Sequence, residues 1–306
     1  MTDLKMNRME KIGYAMCFTM MILLLLTVTL CGVFSLNTTH SYEFINQYGT
    51  SIKIWGSGIY AHDSYFKAPI FIGSDLTVLI LLLPLLIVNI VSLMKQQTPE
   101  SYVSCLGVTG TLLYYSASLA FGVTYNILHL AYITLFGLCF FISGTLFLKL
   151  HLVEAKNDEV CSYSFTKGMK VFLFTVGIAL FAAWLPDIIT SYMNGKSLEL
   201  IEVYTTEITY VIDMGIVSPL MIITFFLMVR KRFIGYVFMR IILQICIGVG
   251  IMLPMQTLFQ ALAGLAIPPI PALVTKVFIF VILAILAAIF QRKLKQSIVY
   301  FDEITE

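Results

Sequence analysis

Eight runs of about twenty apolar residues dominate this sequence, and each is long enough to cross the hydrocarbon core of a bilayer as a helix. The runs cover residues 12–34, 75–94, 102–122, 128–150, 170–190, 208–229, 236–262 and 270–290. A helix satisfies its own backbone hydrogen bonds, as lipid requires. The sequence therefore predicts an all-α, polytopic membrane protein, with eight transmembrane helices in one bundle that forms a single transmembrane domain over residues 1–306.

Charged residues are scarce in this chain. They make up 12% of its 306 residues, and 59% of the residues are hydrophobic; an average soluble domain is about 25% charged. The first apolar run follows Lys5, Arg8 and Lys11. At about 23 residues, it is longer than the roughly 7–15 apolar residues of a signal peptide. We therefore expect it to be retained as the first transmembrane helix.

Lysine and arginine predict the orientation, because the cytosolic loops of membrane proteins carry an excess of both. With eight spans and a cytosolic N-terminus, 15 of the 19 Lys and Arg residues fall on the cytosolic side. The other four are Lys53, Lys67, Lys196 and Lys276. We therefore expect both termini to be cytosolic and a long outer loop over residues 35–74.

Acidic residues are distributed differently from the basic ones. Eight fall on the outer side or in the outer third of a span: Glu43, Asp63, Asp75, Asp187, Glu199, Glu202, Glu207 and Asp213. Such an excess of negative charge would attract a cationic or zwitterionic ligand. The alternative is that acidic residues are simply free to be translocated, whereas basic residues are not.

Asp213 is the acidic residue placed deepest in a predicted span on the outer side. Thr206, Tyr210 and Asp213 are spaced i, i+4 and i+7, so they share one helix face. A carboxylate about 10 Å below Thr206 must be neutral, paired or hydrated. Lys276, in the eighth span, is the candidate counter-charge. A structural salt bridge, a ligand-linked pair, and a Lys276 that reaches back to the surface remain open alternatives.

Two further aspartates lie at the outer ends of predicted spans. Asp75 immediately precedes the second apolar run, where it is either the N-cap of the helix or part of a site. Asp187 follows Pro186, which removes a backbone donor and perturbs the fifth span. Asp187 therefore either satisfies backbone groups or lines an outward-facing cavity.

Polar side chains also gather between the third and fourth spans and in the long loop. Asn126 and His129 lie there beside Tyr125 and Tyr132, as part of a site or of the aromatic belt at the membrane interface. His62 and Asp63 are adjacent in AHDSYFKAPIFI, which we expect to form a short amphipathic helix at the interface.

Known catalytic and cofactor motifs are absent from the sequence. It contains no HExxH, GxSxG, P-loop or Rossmann fingerprint, and its four histidines lack metal-ligand spacing. The six cysteines include no CxxC pair, which favours small apolar packing residues over disulfides or a metal site. We expect no cofactor, no metal and no nucleic-acid partner.

Three stretches of the chain resemble a family of uncharacterised bacterial multi-pass integral membrane proteins. They are WGSGIYAHDSYFKAPIFIGSDLTVLILLLPLL, LLYYSASLAFGVTYNILHLAYITLF, and YTTEITYVIDMGIVSPLMI followed by RKRFIGY. Together they make up about a third of the chain. The resemblance implies a multi-pass protein of the bacterial inner (plasma) membrane and carries no activity or substrate.

The residues support three hypotheses about function. The first is a protein that binds or transports a small polar or cationic ligand at an outward-facing acidic cavity, with Asp75, Asn126, His129, Asp187, Tyr210, Asp213, Lys276, His62 and Asp63 as candidate ligand-binding residues. The second is a membrane-embedded enzyme that acts on a lipid or headgroup with Asp and His as acid and base. The third is a structural or sensor scaffold. Membrane lipids are the expected partners in every case, and the sequence does not specify an oligomeric state.

Overall fold

The computed structural model describes residues 4–156, 163–265 and 270–297. Within these residues, eight helices are long and apolar enough to cross a membrane, which confirms the predicted fold class. We number them spans 1 to 8: Arg8–Val33, Ala68–Gln96, Pro99–Gly122, His129–Lys156, Lys167–Asn194, Ile208–Val229, Phe233–Leu262 and Ile270–Ser297. Which side of the membrane holds the termini stays a prediction.

Contacts between loops and helix ends identify the two ends of the bundle. Span 1 begins where spans 3, 5 and 7 begin: the Tyr102 hydroxyl donates to the Leu4 carbonyl oxygen (2.9 Å), and the Lys295 ammonium lies 3.5 Å from the Glu100 carboxylate of span 3. We call this the basic end. The odd-numbered spans run from it to the opposite end, which we call the capped end because a folded loop covers it.

Local sequence explains where spans 1 and 3 begin. Asn7 and Glu10 form a reciprocal capping box, in which each side chain accepts from the other residue's backbone N–H at 2.9 Å. Thr98 and Ser101 do the same for span 3, with Pro99 in the first turn, where its missing N–H costs nothing.

The cap at the capped end contains a β-hairpin, within the segment predicted as an outer loop. Strands β1 (Tyr42–Ile45) and β2 (Ser51–Ile54) pair antiparallel, with Tyr42 opposite Ile54. The buried indole of Trp55 fixes the hairpin to the bundle by donating to the Ser35 carbonyl oxygen at 2.9 Å. A second segment joins the cap, because the Asn46 side-chain amide donates to the Glu202 carbonyl oxygen at 2.7 Å.

Span 2 begins at Ala68, seven residues before the predicted start. The expected interfacial helix AHDSYFKAPIFI is therefore wrong, since its last five residues are the first turns of span 2. Pro69 suits that position because a helix start needs no N–H there. Consequently Asp75 lies about 10 Å inside the span rather than at its N-cap.

Spans 2 and 6 each contain a π-helical segment followed by a proline. In span 2 the segment is Val78–Leu82 and precedes Pro84; in span 6 it is Asp213–Val217 and precedes Pro219. A proline in a helix clashes with the carbonyl four residues earlier, and the wider π turn moves the preceding hydrogen bonds to i→i+5. Each segment lies within one turn of an intramembrane aspartate.

Spans 3 and 7 are the most buried of the eight and form the centre of the bundle. Span 7 packs against spans 2, 3, 6 and 8. Its contact with span 2 is close at Gly73, where a Cβ atom would lie 2.7 Å from the Gln256 Cα atom. Glycine therefore permits the two backbones to approach, as small residues do between membrane helices.

Candidate functional site

A cavity of about 250 Å³ lies between spans 2, 3, 5, 6, 7 and 8 near the capped end. Its wall is polar along span 6 and, apart from Gln256, apolar along spans 7 and 8. The side chains on which its chemistry depends are Lys67, Ser74, Tyr114, Ser118, Trp184, Glu207, Tyr210, Asp213 and Gln256. We call it the capped-end cavity.

Asp213 is the acidic group at depth in this cavity. Its carboxylate is 7% exposed and accepts hydrogen bonds from the Tyr114 hydroxyl (3.1 Å) and from the Trp184 indole N–H (3.2 Å). Among the side chains that the structure describes, no cation contacts it. The backbone of Lys276 lies in span 8, one turn before the cavity residue Phe280, but its side chain is outside the described part of the chain. The predicted pair therefore stays a prediction.

An aromatic pair stands beside Asp213. The rings of Trp184 and Tyr210 stack with centroids 4.5 Å apart, and the Tyr210 hydroxyl donates to the exposed Asp187 carboxylate at 2.6 Å. Asp187 therefore helps to position Tyr210 in the cavity wall, although Asp187 itself does not line the cavity. Aromatic faces beside a carboxylate form a favourable environment for an organic cation.

A buried ion pair lies at the level of the cavity nearest the cap. Lys67 and Glu207 are each 8% exposed, and their side chains form a salt bridge. The Lys67 ammonium also lies 4.3 Å from the centroid of the Tyr204 ring. Because these two charges compensate each other, the net charge of the described cavity wall is that of Asp213.

Asp75 lies close to the cavity but is sealed from it. It is fully buried, and its two oxygens accept from the Tyr115 hydroxyl (2.5 Å) and the Tyr60 hydroxyl (2.6 Å). Gly32 of span 1 lies directly against it: a Cβ atom there would be 1.7 Å from the Asp75 Oδ2 atom. This carboxylate is enclosed by donors and packing, and it is not accessible to a ligand.

Asp63 holds the cap together. Its Oδ1 atom accepts from the Thr124 backbone N–H (2.9 Å) and the Tyr204 hydroxyl (3.0 Å), whereas its buried Oδ2 atom has no partner among the described residues. Burial raises the pKa of Asp63 to about 7. Nearby, burial also raises the pKa of Glu202, whose carboxylate accepts a hydrogen bond from the Ser64 hydroxyl.

The remaining predicted residues lie elsewhere. His62 and Asn126 line an open cleft of about 850 Å³ between the cap, the end of span 1 and the connection before span 4. The His129 ring lies tilted against the Tyr125 ring with centroids 5.4 Å apart, and its buried Nδ1 atom has no partner within the described residues. Among the predicted residues whose side chains the structure describes, Tyr210 and Asp213 line the capped-end cavity, and Asp187 lies one hydrogen bond away.

Several residues of the cavity are not among the candidates predicted from the sequence. Trp184 lies in the interior of span 5, whereas Lys67 and Glu207 immediately precede spans 2 and 6. Tyr114 and Tyr115 are adjacent in span 3, and two adjacent tyrosines in a span can bond to carboxylates on two neighbouring helices. No group of three or more His, Cys, Asp or Glu residues within the described part of the chain could hold a metal ion.

Comparisons with known proteins identify no relative of this chain. No protein-family model, no curated protein and no solved structure matches this chain.

Proposed function

We propose that this integral membrane protein binds a small organic cation with an apolar portion in the capped-end cavity. The observation that carries the proposal is Asp213, a carboxylate that is 93% buried, lines a cavity and accepts only neutral donors among the described side chains. Holding a carboxylate there costs desolvation energy. A bound cation would repay that cost, and the stacked Trp184 and Tyr210 rings favour an ammonium group.

The other walls of the cavity favour an amphipathic ligand. Phe71, Leu119, Met252 and Phe280 supply apolar surface opposite the polar side. The volume of about 250 Å³ suits a molecule the size of a small amine rather than a lipid chain. We further propose that the capped end faces the outside of a plasma membrane, as the distribution of Lys and Arg predicts.

The test uses choline and its neutral isostere, 3,3-dimethyl-1-butanol, on the detergent-purified protein. Binding is followed by tryptophan fluorescence, since Trp184 lies in the cavity wall and the only other tryptophan, Trp55, is fully buried. We expect choline to bind and the alcohol to bind much more weakly. Asp213→Asn should weaken choline binding at least about tenfold, because it removes the buried charge that the cation pairs with.

Glu43→Gln is the matched control, because it removes one negative charge from the exposed hairpin without altering the cavity. It should bind choline as the wild type does. Equal binding of choline and the alcohol would contradict the proposal. So would a stability cycle in which Asp213→Asn and Lys276→Ala each destabilise and the double variant recovers, since Asp213 would then be one half of a structural pair.

A transport role is the second candidate, and a specific arrangement favours it. A separate cavity opens toward the basic end, and it shares no lining residue with the capped-end cavity. On span 7 the two are separated only by the stretch from Gln244 to Val249, about 8 Å of helix. The π segments of spans 2 and 6 are positions where a helix can rearrange. Uptake of labelled choline into proteoliposomes, with Asp213→Asn as the comparison, tests this role.

A further inference from the structure

A second cavity, of about 270 Å³, lies between spans 2, 3, 7 and 8 at the basic end. We call it the basic-end cleft. Its lining includes three cationic side chains and three amides, together with apolar surface: Leu85, Asn89, Val103, Ser104, Val108, Arg240, Gln244, Gln291, Arg292 and Lys295. No carboxylate is part of its wall within the described residues.

Arg240 is the buried cation of this cleft and is 3% exposed. Its two terminal nitrogens donate to the two Glu100 oxygens at 2.9 Å each, and further to the Tyr236 and Ser104 hydroxyls. These four bonds account for four of the five N–H groups that a guanidinium carries. The fifth, on Nε, is buried and has no partner in the described part of the chain. A buried unpaired donor is uncommon and points to an acceptor that is not protein.

Two more cations stand at the edge of the cleft. Arg292 is exposed, and Lys295 lies 3.5 Å from Glu100, whose carboxylate is already shared with Arg240. Arg240 and Lys295 therefore share one carboxylate, and Arg292 lines the cleft as a third cation, so positive charge exceeds negative charge around the cleft. An anion entering it would meet favourable charge and at least one free donor.

The amides of the cleft include a second buried polar atom that lacks a hydrogen-bond partner among the described residues. Gln291 donates from its side-chain nitrogen to the Gln244 oxygen at 3.0 Å, and its own buried oxygen has no partner among the described residues. A ligand that satisfies both Arg240 and Gln291 must accept a hydrogen bond and donate one. A phosphate monoester does both near neutral pH, because its second pKa is about 6 and part of it carries a P–OH group.

We propose that the basic-end cleft binds a phosphate group, carried either by an anionic lipid or by a soluble phosphate. The phosphate oxygens would accept from Arg240 and Arg292, with Lys295 contributing charge. Basic pockets between membrane helices at the positively charged end of a bundle bind lipid headgroups in this manner. The apolar side chains of Leu85, Val103 and Val108 offer contact to an acyl chain.

The test measures the thermal stability of delipidated protein in neutral detergent. Three additions are compared: short-chain phosphatidic acid, diacylglycerol with the same chains, and inorganic phosphate. We expect phosphatidic acid to raise the melting temperature in a saturable way and diacylglycerol to have no effect. A response to inorganic phosphate at similar concentration would identify a soluble phosphate as a source of the ligand and would equally support the site.

Arg292→Gln and Lys293→Gln form a matched pair of variants. Both residues are exposed and adjacent in span 8, and each substitution removes one positive charge, but only Arg292 lines the cleft. We expect Arg292→Gln to weaken the apparent affinity for the responding anion about fivefold, and Lys293→Gln to leave it unchanged. If the two variants weakened the affinity equally, general surface charge would explain the effect, and the proposal would be overturned. The absence of any saturable response to either anion would also overturn it.

Discussion

Asp75 and Asp213 lie at similar depths below the capped end, about 10 Å and 8 Å from the first residue of their spans. Each accepts a hydrogen bond from one of two consecutive tyrosines of span 3, and each lies within one turn of a π segment that a proline follows. The surroundings differ. Asp75 is closed off by Tyr60 and Gly32, whereas Asp213 faces a cavity.

This difference separates two ways of keeping a carboxylate inside a membrane protein. At Asp75 each oxygen has a short bond to a phenol, so the group is satisfied by the protein alone. At Asp213 the hydrogen bonds are longer, at 3.1 and 3.2 Å, and open space remains on one side of the carboxylate. A carboxylate of the first kind specifies packing, and one of the second kind is available to a ligand.

The strongest expected effect comes from closing the space around Asp75. Gly32→Ala places a methyl group where the Asp75 carboxylate lies, so we expect it to lower the free energy of unfolding by about 2–3 kcal/mol, as overpacking does. Gly215→Ala is the matched change beside Asp213, where nothing lies within 4 Å of the added carbon. It should leave stability within about 1 kcal/mol of wild type or raise it slightly. Denaturation in mixed micelles measures both, and similar losses would show that the two surroundings do not differ.

Asp63, in the cap, is a third buried aspartate that can be compared with Asp75 and Asp213. The fold raises the pKa of Asp63 to about 7, so the folded protein holds this proton more tightly than the unfolded chain does. Its contribution to stability is therefore greatest below the unfolded pKa of about 4, and it is lost as the pH rises through about 7. Between pH 5 and pH 7 the loss should be about 2 kcal/mol.

Asp63→Asn isolates this contribution, since other groups, including Glu202, titrate in both proteins. The difference in unfolding free energy between wild type and Asp63→Asn should change with pH over this interval in the direction given above. Parallel pH profiles for the two proteins would mean that Asp63 is already ionised in the fold.

The sequence predicted the part of the fold that depends on local composition. Apolar runs specified eight spans, and helical spacing correctly placed Tyr210 and Asp213 on one face. The start of span 2 at Ala68 was missed, because AHDSYFKAP is polar and aromatic and is buried by contacts with distant parts of the chain, such as the Tyr65 bond to Ala263 and the Lys67–Glu207 pair.

The environment of the two carboxylates depends on contacts that no local pattern encodes. Lys67 and Glu207 are separated by 140 residues, and Tyr60 reaches Asp75 from a loop whose inward fold has no local sequence signal. Trp184 meets Asp213 only because spans 5 and 6 pack together. Whether a carboxylate is enclosed or open is thus a tertiary property, whereas its depth can be read from the chain.

The smallest expected effect comes from making the same substitution at two neighbouring residues, Tyr115 and Tyr114. Tyr115→Phe removes the one donor to the Asp75 Oδ1 atom among the described residues, in a fully buried site, so we expect it to cost about 1.5 kcal/mol of stability. Tyr114→Phe removes a 3.1 Å bond from a carboxylate that faces the cavity, where water can replace the donor, and should cost about 0.5 kcal/mol. Tyr114→Phe should instead change choline binding more than Tyr115→Phe does, because both tyrosines line the cavity but Tyr114 is the one that bonds to Asp213. If Tyr114→Phe were the more destabilising of the two and had no effect on binding, Asp213 would be as enclosed as Asp75, and the distinction between the two sites would fail.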